Sequence, residues 1–121
     1  MSLARRQRAE RRGQGAERLT IWLLRLKGYR ILARRFRVPS GEIDLIARRG
    51  RVVIAVEVKA RTAFAAAADA VMPKQQRRIA RALDHFLVRR PDLAMLDRRF
   101  DVVMVVPRRW PRHLPDAWRG D

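Results

Sequence analysis

Residues 41–61 read Gly-Glu-Ile-Asp-Leu-Ile-Ala-Arg-Arg-Gly-Arg-Val-Val-Ile-Ala-Val-Glu-Val-Lys-Ala-Arg. Two apolar-alternating runs, Glu42 to Ala47 and Val52 to Lys59, flank the polar connection Arg48-Arg49-Gly50-Arg51, the pattern of a β-hairpin. Side chains alternate along a strand, so Glu57 and Lys59 share the face of Val53 and Ala55, opposite Val52, Ile54, Val56 and Val58. With the turn centred on Arg49-Gly50, Glu42 lies opposite Glu57 and Asp44 opposite Ala55. Glu42, Asp44, Glu57 and Lys59 then converge on one side, with Asp44 and Glu57 as diagonal neighbours roughly 7–8 Å apart. Facing carboxylates repel unless something compensates. A divalent cation with oxygen ligands does so, and Lys59 adds positive charge. Val-Glu-Val-Lys is also what an ordinary half-solvated strand carries; the convergence with Asp44 is what raises it above that.

The 121 residues suffice for one domain with a modest core. Lys and Arg total 29 against 12 Asp and Glu, a formal charge of +17, so polyanions are the expected partners, nucleic acid first. Coding bias can explain why arginine is the chosen cation, but not the excess of cations over anions. Only Lys27, Lys59 and Lys74 are lysines. A lysine at 59 therefore suggests a chemical need, since arginine is a poor proton-transfer group. Without cysteine there is no disulfide and no thiolate metal site. His85 and His113 are not in ligand spacing, so any metal would be held by oxygen. The sequence shows neither a secretory signal pattern nor an apolar run of membrane-spanning length, and the expectation is a soluble cytoplasmic protein with no membrane partner.

Outward from the hairpin, residues 1–15 are arginines among Ala, Gln, Ser and Gly without apolar periodicity, and read as a disordered basic arm. The single domain spans 16–121. Ala16, Leu19, Leu23 and Leu26 mark a helical stripe with Trp22 beside it, and Gly28 stops the helix. Glu17 falls on the flank with Thr20, Ile21 and Leu24. Tyr29 to Val38 reads as a first strand, turned into the hairpin by Pro39-Ser40-Gly41. Arg61 to Val71 is an alanine-rich connection read as a loop over the site. Pro73 opens a second helix whose apolar positions Ile79, Ala80, Leu83, Phe86 and Leu87 run to about Arg89. Its Lys74, Arg77, Arg78 and Arg81 are either a solvated face or, with Arg61, phosphate contacts. Phe100 to Val106 is almost continuously apolar, as a strand buried on both faces should be. Strand, helix, strand implies a parallel crossover. Asp101, at its start, reads as structural. Pro107 to Asp121, with Trp110 and Trp118, reads as a wrap against the domain edge, with base stacking as the alternative. The expected fold is an α/β sandwich: a mixed sheet of three antiparallel strands and a parallel crossover strand, flanked by helices. There is no glycine-rich phosphate loop and no Ser-His-Asp set.

These residues resemble the YraN-like family of small bacterial proteins. That family is similar to archaeal Holliday-junction resolvases and belongs to the restriction-endonuclease-like PD-(D/E)xK superfamily. The resemblance covers about Ala16 to Trp118 and rests mainly on Gly41-Glu42-Ile43-Asp44-Leu45-Ile46-Ala47 and Val56-Glu57-Val58-Lys59-Ala60-Arg61. It implies Asp44 and Glu57 as ligands of Mg²⁺ or Mn²⁺, joined by the Val58 carbonyl, with Lys59 as the catalytic lysine and Glu17 as a first-helix glutamate that completes the site. The alanine-rich loop, and Asp69 where glutamate is usual, depart from the family pattern. The implied function is metal-dependent cleavage of structured or branched DNA. The alternatives are a non-catalytic DNA-binding or repair-accessory protein on the same scaffold and, more weakly, an RNA-associated factor. Cutting two strands would suit a symmetric homodimer.

Overall fold

The computed structural model describes residues 3–62 and 71–119. Its elements are α1 (Leu3–Leu26), β1 (Arg30–Val38), β2 (Gly41–Arg49), β3 (Val52–Ala60), α2 (Pro73–Val88), β4 (Asp97–Val105) and β5 (Arg112–Trp118), with a 3₁₀ turn at Pro91–Leu93. The five strands form one sheet in sequence order. Only β3 and β4 are parallel, joined through α2, so the mixed sheet and its crossover are as expected. β5 is an addition. Interrupted by Pro115 and with no clean alternation, it lacks a strand pattern, and it is a strand because it pairs with the edge of β4. Trp118 at its end stacks on Phe100 at 5.2 Å.

One helix covers each face. α2 packs Ile79, Ala82, Leu83, Phe86 and Leu87 against Ile43, Ile46, Val53, Ala55, Phe100 and Val102. α1 packs Ile21, Leu23 and Leu24 against Leu45, Ala47, Ile54, Val56 and Val103. α1 differs from expectation twice. It starts at Leu3, so the segment read as a disordered basic arm is helical backbone from residue 3 onward. Arg, Ala and Gln are good helix formers, and extending a nucleated helix needs no apolar stripe. The buried face is also rotated from the expected one. Of the expected stripe Ala16 and Leu23 are buried but Leu19 and Leu26, with Trp22, are exposed, and Glu17, Thr20, Ile21 and Leu24 are buried in their place. Either stripe satisfies helical periodicity, and the Thr20 hydroxyl is satisfied by donating to the Ala16 carbonyl at 2.8 Å. That rotation turns Glu17 inward.

The hairpin register also needs correcting. Leu45 pairs with Val56 and Arg49 with Val52, so the two-residue turn is Gly50-Arg51. Gly50 has φ +59°, the first central position of a type II′ turn. The slip is by two residues, which preserves the face assignments of the paired residues. Pairing of β2 with β3 stops at Leu45 and Val56. Ile43 and Ile46 both join the α2-side core while Leu45 joins the α1 side, so the alternation of β2 breaks at Asp44, where the two strands part.

A polar hub ties β4, β5 and the end of α1. Asp101, fully buried, accepts two bonds from Arg99 at 2.8 Å, one from His113 Nε2 at 2.7 Å and one from the Asp116 amide at 2.9 Å. His113 Nδ1 lies 2.8 Å from Lys27 Nζ, and Arg99 also reaches the Tyr29 hydroxyl at 2.7 Å. Asp101 is structural, as read. At the start of β2, a Cβ on Gly41 would lie 1.9 Å from the Arg78 carbonyl oxygen of α2. Gly41→Ala therefore forces strand and helix apart. We expect a loss of about 3 kcal/mol, the upper end of ordinary overpacking, read as a fall in thermal midpoint of roughly 10 °C.

Candidate active site

The site lies where β2 and β3 separate. Asp44 reaches across the gap, and its Oδ2 accepts the Val58 amide at 2.8 Å, replacing the ladder bond lost there. Glu57, one position before Val58 on β3, is buried, Asp44 is partly so, and the two carboxyls are close enough for the charge of Asp44 to act on Glu57. Asp44 and Glu57 come next after the last paired residues, Leu45 and Val56, and so lie at one level rather than diagonally. Lys59 Nζ sits 3.3 Å from Glu57 Oε1, its side chain only 16 % exposed. Gln75, in the first turn of α2, donates to the same Oε1 at 3.0 Å and accepts from Lys59 at 3.4 Å. Sequence reading missed Gln75. Its only signal is an uncharged amide at the head of a helix otherwise studded with arginines.

Glu42 does not join. It is exposed and pairs with Arg37 at 3.2 Å, because the strands have already parted at its position. Glu17 is buried next to the site, but Arg34 at 3.2 Å and Arg35 at 3.0 Å hold its two oxygens. Arg35 has φ +50°, the left-handed region that non-glycine residues rarely occupy. Glu17, Arg35, Asp44, Val58 and Ala60 line a cleft of about 470 Å³. Among the cations expected to meet phosphate, Arg61 follows the site on β3 and is exposed. Lys74, Arg77, Arg78 and Arg81 are exposed on α2, where Arg77 and Arg81 line a separate groove of about 460 Å³ with Asp84 and Arg119. Asp69 and the loop expected over the site lie outside the described residues.

Burial raises the pKa of Asp44, against the lowering effect of the Val58 amide. Burial, then the charge of Asp44, pushes Glu57 up to about 7. The unfolded chain loses the Glu57 proton near 4.5, so its contribution to stability is fully present below that pH and falls as pH rises toward 7. In the metal-free protein we expect roughly 3 kcal/mol of stability to be lost across this window, levelling off above it. Denaturant melts between about pH 5 and about pH 8 should show that slope, and Glu57→Gln should flatten it.

The raised proton affinity of both carboxyls, Glu57 buried and Asp44 partly so, suits a hard dication, which takes one or two carboxylates and fills its remaining positions with water and substrate phosphate. Among the described residues no three His, Cys, Asp or Glu side chains gather at metal-holding spacing. Asp44, Glu57 and the backbone at Val58 are thus the donors on offer, with Glu17 engaged elsewhere.

A five-stranded mixed sheet between two helices, with an acid pair and a lysine where two strands part, defines an α/β sandwich of restriction-endonuclease-like architecture. The chain belongs to the uncharacterised protein family UPF0102, which matches residues 16–105. It is 62% identical over 111 residues to a UPF0102 protein of Parvibaculum lavamentivorans, covering 92% of this chain and 84% of the relative. It is 59% identical over 104 residues to one of Brucella canis, covering 86% and 82%. A UPF0102 protein of Methylorubrum extorquens is 52% identical over 115 residues, covering 95% and 90%. No described helix is long and apolar enough to cross a membrane.

Proposed function

We propose that the chain is a divalent-metal-dependent endonuclease acting on structured or branched DNA. The observation that carries this reading is the nearness of Asp44 to the buried Glu57, with Lys59 paired to Glu57. Such a cluster is costly to fold and needs a compensating charge. Mg²⁺ or Mn²⁺ held by Asp44, Glu57 and the Val58 carbonyl would supply Lewis-acid polarisation of the scissile phosphate and acidify water. Lys59 orients the attacking water and offsets charge developing on the phosphate. Gln75 positions Lys59 and Glu57 through its two bonds. Arg61 and Lys74, with Arg77, Arg78 and Arg81 further along α2, hold flanking phosphates. The DNA lies in the cytoplasm in this reading, and a second copy of the chain would present the matching site for the opposite strand.

The capture of Glu17 by Arg34 and Arg35 favours a second reading, a non-catalytic DNA-binding or repair-accessory protein on the same scaffold. Incubation with branched and linear DNA in Mn²⁺ and then in EDTA separates the two. The nuclease cuts branched DNA in Mn²⁺ and leaves it intact in EDTA. Salt-sensitive binding in both, without product in either, establishes the second. Competition with RNA at physiological salt checks the preference for DNA.

A further inference from the structure

The turn between β4 and β5 is built unlike an ordinary surface turn. Its base is fixed: Val106 and Pro111 are buried, and Val106 packs with Met104 and Leu114. Between them Pro107, Arg108, Arg109 and Trp110 are all exposed, Trp110 by 67%. The Arg109 amide donates to the Val106 carbonyl at 3.2 Å, and Arg108 has φ +62°. This is the pattern of a type II turn, with proline at the first central position and, at the second, a conformation that favours glycine. The chain places an arginine there, at a cost in backbone strain of the kind that collects at functional sites. Neither Arg108 nor Arg109 has a side-chain hydrogen bond or ion pair among the described residues, and Trp110 has no aromatic or cation–π partner among them.

The turn also lies at the site's end of the sheet. Lys59 is level with Met104 and Ala60 with Val105, and the Arg61 amide donates to the Val105 carbonyl at 3.0 Å. The tip therefore projects about 10–15 Å beyond Lys59 at strand rise, or three to four nucleotide steps. Only cations flank Trp110 in this turn, so a second copy of a +17 chain is a poor occupant and a polyanion a good one. A rigid indole with free faces offers a stacking platform for a base that is not already paired.

We propose that this turn is a second DNA-contacting element, in which Trp110 stacks on an unpaired base while Arg108 and Arg109 hold the neighbouring phosphates. Resting on the nuclease reading, it narrows the substrate to DNA with a single-stranded arm a few nucleotides from the scissile phosphate. Fluorescence anisotropy in EDTA tests it, with a forked DNA carrying a single-stranded arm and a blunt duplex of equal length. Wild type should bind the fork about tenfold more tightly than the duplex. Trp110→Ala should lose about that factor on the fork and nothing on the duplex, and Trp110→Phe should retain most of it. Arg108→Gly should weaken both complexes while keeping or raising the thermal midpoint, an outcome that a merely structural arginine would not give. Equal binding of fork and duplex by wild type, or a Trp110→Ala loss shared equally by both, overturns the proposal. Because these readings need no cleavage, a fork preference that persists without any product in Mn²⁺ sinks the nuclease reading alone.

Discussion

Lys59→Ala should reduce cleavage of branched DNA by at least about 10³-fold while leaving DNA affinity in EDTA within about twofold of wild type. The magnitude is that of removing one positioned proton-transfer or charge-stabilising group from a shielded site. The selectivity follows from placement. Lys59 is largely buried and bonded to Glu57 and Gln75, whereas the cations proposed to meet flanking phosphates are exposed. Lys59→Arg should not rescue cleavage, because a planar guanidinium does not fit where a compact ammonium is wedged between a carboxylate and an amide. Single-turnover cleavage with saturating enzyme, beside anisotropy, makes the comparison. Undiminished cutting by Lys59→Ala would remove the lysine from the chemistry.

The largest stability effect is expected at Asp101. Asp101→Ala leaves the Arg99 guanidinium, the His113 ring and the Asp116 amide without their common acceptor. Removing one partner of a buried ionic network costs about 3–5 kcal/mol, mostly because the other groups stay buried and unpaired. Burial pushes the Asp101 carboxyl up, but the bonds from Arg99, then His113 and the Asp116 amide, outweigh it and hold the pKa below the usual value of 3.8. Its contribution is therefore fully present above that value and is lost only as pH falls through the still lower folded pKa. This runs opposite to Glu57, so the two can be told apart in one pH series. Urea melts measure the cost. A stability within about 1 kcal/mol of wild type would mean that the hub does not hold β5 to the sheet.

The hairpin, the second helix and the parallel crossover were legible because each rests on a local pattern: period-two alternation, period 3.6 behind a proline, and an unbroken apolar run. Asp44, Glu57 and Lys59 could be placed together because strand parity survives a two-residue error in register. What was not legible depends on contacts remote in sequence. The resemblance points Glu17 toward the site, but nothing local announces that Arg34 and Arg35 take its two oxygens. β5 has no strand pattern of its own. The hub at Asp101 draws on residues 27, 29, 99, 113 and 116, a set no motif describes. Gln75 joins the site only because α2 docks its first turn against the end of β3.

The central claim is that Asp44 and Glu57 share a divalent cation. Titration calorimetry of Mn²⁺ into metal-free wild type and Asp44→Asn tests it most directly. Wild type should show one saturable site, with proton release and with affinity that strengthens as pH rises through about 7, where Glu57 ionises. Asp44→Asn should show no such site. Identical isotherms for the two proteins would contradict it.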